Sequence, residues 1–214
     1  MLKWRSDLSL FQLILEDIGK IIIFARILCF IMSTINKIGI FCSSSNNLDA
    51  SYYEEADRLG RWIGSHGLTL VCGGASCGLM ETLSRAVHES GGKVLGVVPQ
   101  ILIDRERVST CIDDMVVTED LNDRKRKLIE NSDIILALPG SVGTLDEVFT
   151  VMAANTIGIH DKKVVFWNIN GFWSELFSMF DKMALTGVVT KPYDSIMVKA
   201  NTFEQVLHII EPAL

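Results

Sequence analysis

Three stretches of this sequence carry residue types suited to a phosphorylated ligand. The first is Pro139-Gly140-Ser141-Val142-Gly143-Thr144, which follows an unbroken apolar run over residues 134–138. Glycines there let the backbone come close to a ligand, and successive N–H groups at a helix start point at an anion. Thr144 either caps that helix or donates its hydroxyl to the same anion. Glu147, three residues on, closes a capping box with Thr144 or places a carboxylate one helical turn beyond the loop. The second stretch, Gly73-Gly74-Ala75-Ser76-Cys77-Gly78-Leu79-Met80, is neither G-x-G-x-x-G nor a Walker loop, and a tight strand-to-helix turn needs such glycines with or without a ligand. The third, Arg124-Lys125-Arg126-Lys127, offers cations, although a basic run of this kind usually forms a solvated helix face.

The elements that must position these residues alternate along the chain. Residues 37–42 form an apolar strand ending in Ser43-Ser44-Ser45-Asn46-Asn47. Asp49 caps a helix with Tyr52, Tyr53, Ala56, Leu59, Trp62 and Ile63 at helical spacing, and Gly67 ends it. A strand at 69–71 opens into the first glycine loop, and the next helix runs to Gly91-Gly92. Residues 94–98 are a third strand halted by Pro99, residues 100–113 a charged loop, and 115–117 a fourth strand. Asn122 caps a basic helix reaching Asn131, and 134–138 reads as a strand buried on both faces. A helix from Thr144 follows, and segments 164–167, 172–185, 196–198 and 202–210 complete the pattern. Strand and helix alternating without hairpin turns predict an α/β fold: a Rossmann-like doubly wound parallel sheet with helices on both faces. In such sheets ligands sit at the carboxyl ends of the strands, where both glycine loops lie.

Composition narrows the function. The 214 residues are 49% hydrophobic and 21% charged, enough to bury a substantial core and to exclude global disorder. A net charge of −6 excludes a general nucleic-acid binder. Five cysteines without a C-x-x-C pair fit a reducing, cytoplasmic setting rather than a disulfide framework or a zinc ribbon. His66, His88, His160 and His208 have no metal-ligand spacing, so no metal is implied. The first 31 residues are strongly apolar, but Arg26 splits the run and Glu16-Asp17 precede it, which fits neither a signal peptide nor a membrane span. Met32-Ser33-Thr34 resembles a natural start. Residues 1–36 are therefore expected to be an extension, and 37–214 a single nucleotide-binding catalytic domain with no membrane partner.

The order Gly73-Gly74…Gly78-Leu79-Met80, Gly96-Val-Val-Pro99, Asp120…Arg124-Lys125, Pro139-Gly140-x-x-Gly143-Thr144-x-x-Glu147 and Gly158-Ile159-His160-x-Lys162-Lys163 resembles the LOG ("lonely guy") family over roughly residues 37–200. These are phosphoribohydrolases that cut nucleoside 5′-monophosphates, the cytokinin-activating enzymes among them. The resemblance implies a modified Rossmann fold, a homodimer, no metal or cofactor, and hydrolysis of AMP or a cytokinin riboside 5′-monophosphate to free base and ribose 5-phosphate. It aligns Arg124 and Glu147 with the family's catalytic pair. It aligns Gly140, Gly143 and Thr144 with the phosphate loop, and Gly78, Leu79 and Met80 with the loop near base and ribose. Gly73, Gly74, Ser76, Lys125, Ser141 and Val142 complete the expected binding set. Some members carry a lysine-decarboxylase label, yet these residues describe a nucleotide site and offer no obvious pyridoxal-phosphate lysine.

Several positions depart from the family pattern. Ser141 replaces a glycine, Ala75 ends the usual triple glycine, Leu121-Asn122 stands for Met-His, and Ala154 and Thr156 replace a Trp and a Gln. Ser141 retains its amide donor, so the changes at Asn122, Ala154 and Thr156 bear on base preference more than on the reaction. In that reaction positive charge builds on the ribose, and a carboxylate at Glu147 would stabilise it and orient water. The alternative is a nucleotide or molybdenum-cofactor carrier, because such proteins share a similar glycine signature.

Overall fold

A computed structural model describes residues 35–211, and the expectations for residues 1–34 lie outside the described residues. Seven parallel strands form one sheet: β1 (Lys37–Phe41), β2 (Thr69–Cys72), β3 (Lys93–Pro99), β4 (Asp114–Thr118), β5 (Ile134–Ala137), β6 (Val164–Trp167) and β7 (Met197–Ala200). Their spatial order is β4-β3-β2-β1-β5-β6-β7. The winding reverses between β1 and β5, which pair in register from Ile38↔Ile134 to Phe41↔Ala137. At such a reversal the chain leaves two neighbouring strands in opposite directions, opening a crevice at their carboxyl ends.

The helices are α1 (Ala50–Ser65), α2 (Gly78–Glu89), α3 (Gln100–Asp104), α4 (Leu121–Glu130), α5 (Val142–Thr156), α6 (Ser174–Leu185) and α7 (Phe203–Ile210). Central strands covered on both faces need apolar side chains in both directions, which is why β5 and β6 read as continuous Ile/Val/Leu/Phe runs. Ile135, Leu136, Val164 and Phe166 are accordingly buried. Phe166 packs edge-on against Trp173 and Phe177, so these aromatics form core rather than a base-stacking platform.

Three local expectations are corrected. The cap of α4 is Asp120, not Asn122: its carboxylate accepts from the N–H groups of Asn122 (2.7 Å) and Asp123 (2.8 Å). Its extended backbone (φ −143, ψ −179) gives the side chain that reach, whereas Asn122 already lies inside the helix. Helix α5 starts two residues before Thr144, with Ser141 as N-cap and no side-chain cap bond. Residues 100–113 include the short helix α3, which begins directly after Pro99.

Candidate active site

The site forms where the loops after β1, β2 and β5 meet. The N–H of Leu138 donates to the Phe41 carbonyl (2.9 Å) and that of Ser43 to the Pro139 carbonyl (3.0 Å), lacing the two strand ends together. The start of α2 joins them: Leu79 N–H donates to the Ser43 carbonyl (3.0 Å) and Gly78 N–H to Asn46 Oδ1 (2.8 Å). Gly78 is obligatory on two counts. Its φ is +61, and a Cβ there would lie 2.6–2.7 Å from the backbone of Ser43, Ser44 and Ser45.

These loops enclose a cavity of about 190 Å³. Cys42, Ser43 and Ser44 line one side, Met80 another, and Ser141, Gly143 and Thr144 the helix start. Arg124 and Glu147 complete the wall. Arg124, from the second turn of α4, donates through Nη1 to Glu147 Oε1 at 2.6 Å and through Nε to the Val97 carbonyl at 3.2 Å. The side chains retain only 14% and 8% of their exposure, so this is a buried pair. Burial pushes the Glu147 carboxyl above the ordinary glutamate range, and the Arg124 charge and hydrogen bond pull it back. Burial also raises the Cys42 thiol, keeping it protonated and a poor nucleophile.

Glu147 is not a capping residue. It lies in the second turn of α5, past the first-turn amides that a capping box serves, and its carboxylate is engaged by Arg124. Gly73 is explained by the same pair, since a Cβ there would collide with Arg124 Nη2. Gly140 likewise lacks a Cβ where the Thr144 side chain folds against it, which leaves Thr144 buried in the first turn.

Of the residues singled out from sequence, Met80, Arg124, Ser141, Gly143, Thr144 and Glu147 line the cavity, and Gly73, Gly78 and Gly140 shape its walls. Others point elsewhere. Leu79 is wholly buried in the core, and Val142 is 80% exposed. Gly74, Ala75 and Ser76 are pinned to residues 107–109: Ser76 N–H donates to the Arg107 carbonyl (3.0 Å) and Ser109 N–H to that of Gly74 (2.9 Å). Lys125 binds Asp146 at 2.8 Å and lines a separate outer groove with Asn122, Ala154, Ile159 and His160. Arg126 bonds Asp123 and Glu130 on the solvated face of α4. Cys42, Ser43 and Ser44 also line the cavity, and Asn46 braces Gly78 beside it, although their residue types alone do not mark them as site residues. The signal for them was a polar run directly after the first strand of a doubly wound sheet.

Among the described residues no group of three or more His, Cys, Asp or Glu side chains is arranged to hold a metal. Among the described residues no lysine lines the cavity. No described helix is long and apolar enough to cross a membrane.

A protein-family model described as "Possible lysine decarboxylase" matches residues 80–210. The cytokinin riboside 5′-monophosphate phosphoribohydrolase LOG3 of Arabidopsis thaliana is 35% identical over 179 residues, covering 84% of this chain and 83% of its own. The chain belongs to the LOG family. A second relative of this LOG protein, the probable cytokinin riboside 5′-monophosphate phosphoribohydrolase LOGL2 of Oryza sativa subsp. japonica, is 34% identical over 187 residues, covering 87% and 77% of the two chains. Among solved structures, the molybdenum cofactor binding protein of Rippkaea orientalis superposes with TM-score 0.64 at 23% identity, covering 85% of this chain and 98% of its own. The molybdenum cofactor carrier protein of Chlamydomonas reinhardtii gives 0.64 at 22% identity, covering 84% and 98%. At these identities the likeness shows a shared fold.

Proposed function

We propose that this LOG-family protein hydrolyses the N-glycosidic bond of a purine nucleoside 5′-monophosphate, AMP or a cytokinin riboside 5′-monophosphate, releasing free base and ribose 5-phosphate. The observation that carries the reading is the buried Arg124–Glu147 pair beside the amide-rich start of α5. The phosphate binds the N–H groups of Ser141 to Thr144 at the positive end of the helix. Held there, it lends binding energy to orient a bond remote from itself. As the C1′–N bond breaks, its electron pair leaves with the base and positive charge grows on the ribose. Glu147 faces that charge and orients the water whose oxygen joins C1′, while Arg124 keeps the carboxylate ionised against its burial. One proton of the water ends on the base.

The protein acts as a homodimer in the cytoplasm in this reading. Leu121, Ile157 and Ile159 are 61%, 75% and 71% exposed around the outer groove, apolar surface suited to a second copy. The free thiols Cys42, Cys72, Cys77 and Cys111 suit a reducing compartment. The second reading, a nucleotide or molybdenum-cofactor carrier that binds without turnover, rests on the similar glycine signature. A panel of nucleoside 5′-monophosphates and the matching nucleosides, read by product chromatography, separates them. Base release from monophosphates but not nucleosides is the expected result. Tight binding with every nucleotide recovered intact would favour the carrier.

A further inference from the structure

The C-terminal ends of α4 and α5 are tied by side chains that the reaction itself does not use. Helix α4 ends at Glu130 with Asn131 as C-cap, and local donors reach its last carbonyls: Asn131 Nδ2 that of Lys127, Ser132 Oγ that of Leu128 and the Ser132 N–H that of Ile129. Lys162, just before β6, brings a cation to the same end. Its Nζ donates to the carbonyls of Ile129 (2.5 Å) and Ser132 (2.6 Å), at the negative end of the helix. The Lys162 carbonyl in turn accepts from Asn155 Nδ2 at 2.7 Å. Asn155 is fully buried in the last turn of α5. Its own carbonyl and Oδ1 accept from Lys191 Nζ at 2.9 and 2.5 Å. The two bridged helices are those that carry Arg124 and Glu147 toward each other. A 10-residue helix moves as a rod, so a shift at Ile129 displaces Arg124, five residues away, by a similar amount.

We propose that Lys162 is a positioning residue: by holding the end of α4 against Asn155 of α5 it sets the Arg124–Glu147 contact, with Lys191 bracing Asn155. This rests on the reading of Arg124 and Glu147 as the reacting pair. The charged and titratable groups facing Glu147 are Arg124 and Lys125 from α4, Asp146 on its own helix and the Cys42 thiol beyond β1. Arg124 is the one with a hydrogen bond to the Glu147 carboxylate among the described residues. If α4 slips, that bond lengthens and Glu147 holds its proton to higher pH.

The test compares full-length wild type with Lys162→Met, Lys162→Arg and the neighbouring control Lys163→Met, whose exposed ammonium bonds only the Asp194 carbonyl among the described residues. Turnover of AMP is measured across pH, and the Glu147 carboxylate is titrated by ¹³C NMR, its signal assigned by loss in Glu147→Gln. Lys162→Met is expected to lose about tenfold in kcat with KM within about twofold, because misplacement rather than lost binding is the defect. Its acid limb and the Glu147 midpoint should both move to higher pH, Lys162→Arg should restore most of the rate, and Lys163→Met should match wild type. An unchanged midpoint and pH profile in Lys162→Met, whatever its Tm, would overturn the proposal. If Lys162→Met does not fold, Lys191→Met reads the other end of the tie, with a shift in the same direction expected and an unmoved midpoint refuting it. Should wild type cleave no nucleotide, the functional reading fails, and the NMR midpoint still decides the positioning role.

Discussion

Replacing Arg124 with Met removes one partner of a buried ion pair and leaves the other stranded. An exposed pair would contribute about 0–1 kcal/mol. Here the two side chains keep 14% and 8% of their exposure, the contact is 2.6 Å, and Arg124 also serves the Val97 carbonyl. A loss of about 3–5 kcal/mol is therefore expected at neutral and alkaline pH. The pH dependence follows from the direction of the Glu147 shift. Its carboxyl is already raised above 4.5 by burial and is held down by Arg124, so the native state binds that proton more tightly than the unfolded chain. Its contribution is fully present below about 4.5 and is lost as pH rises through the folded value. Without Arg124 the folded value climbs further, which makes the variant's deficit largest at alkaline pH and smaller toward pH 5. Urea unfolding of wild type, Arg124→Met, Glu147→Gln and the double variant at about pH 8.5 and pH 5 measures this, with a coupling near 2 kcal/mol expected at the higher pH. A deficit under about 1 kcal/mol, or one equal at both pH values, would refute the buried-pair argument.

Other variants probe the parts separately. Gly73→Ala should lose both activity and Tm, since the new methyl displaces the Arg124 guanidinium from its buried pair with Glu147; full activity at wild-type Tm in that variant would mean the close approach does not matter. Thr144→Val should weaken nucleotide affinity about tenfold by calorimetry, with the loss absent for the unphosphorylated nucleoside. Asp120→Ala removes the acceptor for two first-turn amides of α4 and should cost about 1 kcal/mol in urea unfolding.

The strands were legible because burial on both faces demands unbroken apolar runs, and β5 and β6 have them. Helix starts were less so. Asn122 and Thr144 are good capping types, but Asp120 and Ser141 hold the flanking backbone conformation, a property of the turn rather than of residue type. The two meanings of Glu147 separate only in three dimensions, where Arg124, 23 positions earlier, donates to its carboxylate. Cys42, Ser43 and Ser44 are not legible as site residues, because their place depends on which strand lies beside β1. Lys125 adjoins Arg124 in sequence but leaves α4 in another direction, toward Asp146.

The most direct measurement is incubation of the wild-type protein and Glu147→Gln with AMP, followed by chromatography of the products. Gln keeps the size of the side chain and removes its charge. Wild type should release adenine and ribose 5-phosphate in equal amounts, and Glu147→Gln should do so roughly 10²-fold more slowly or worse while still gaining Tm from AMP. Intact AMP with wild type, or equal rates from the two proteins, would contradict the account.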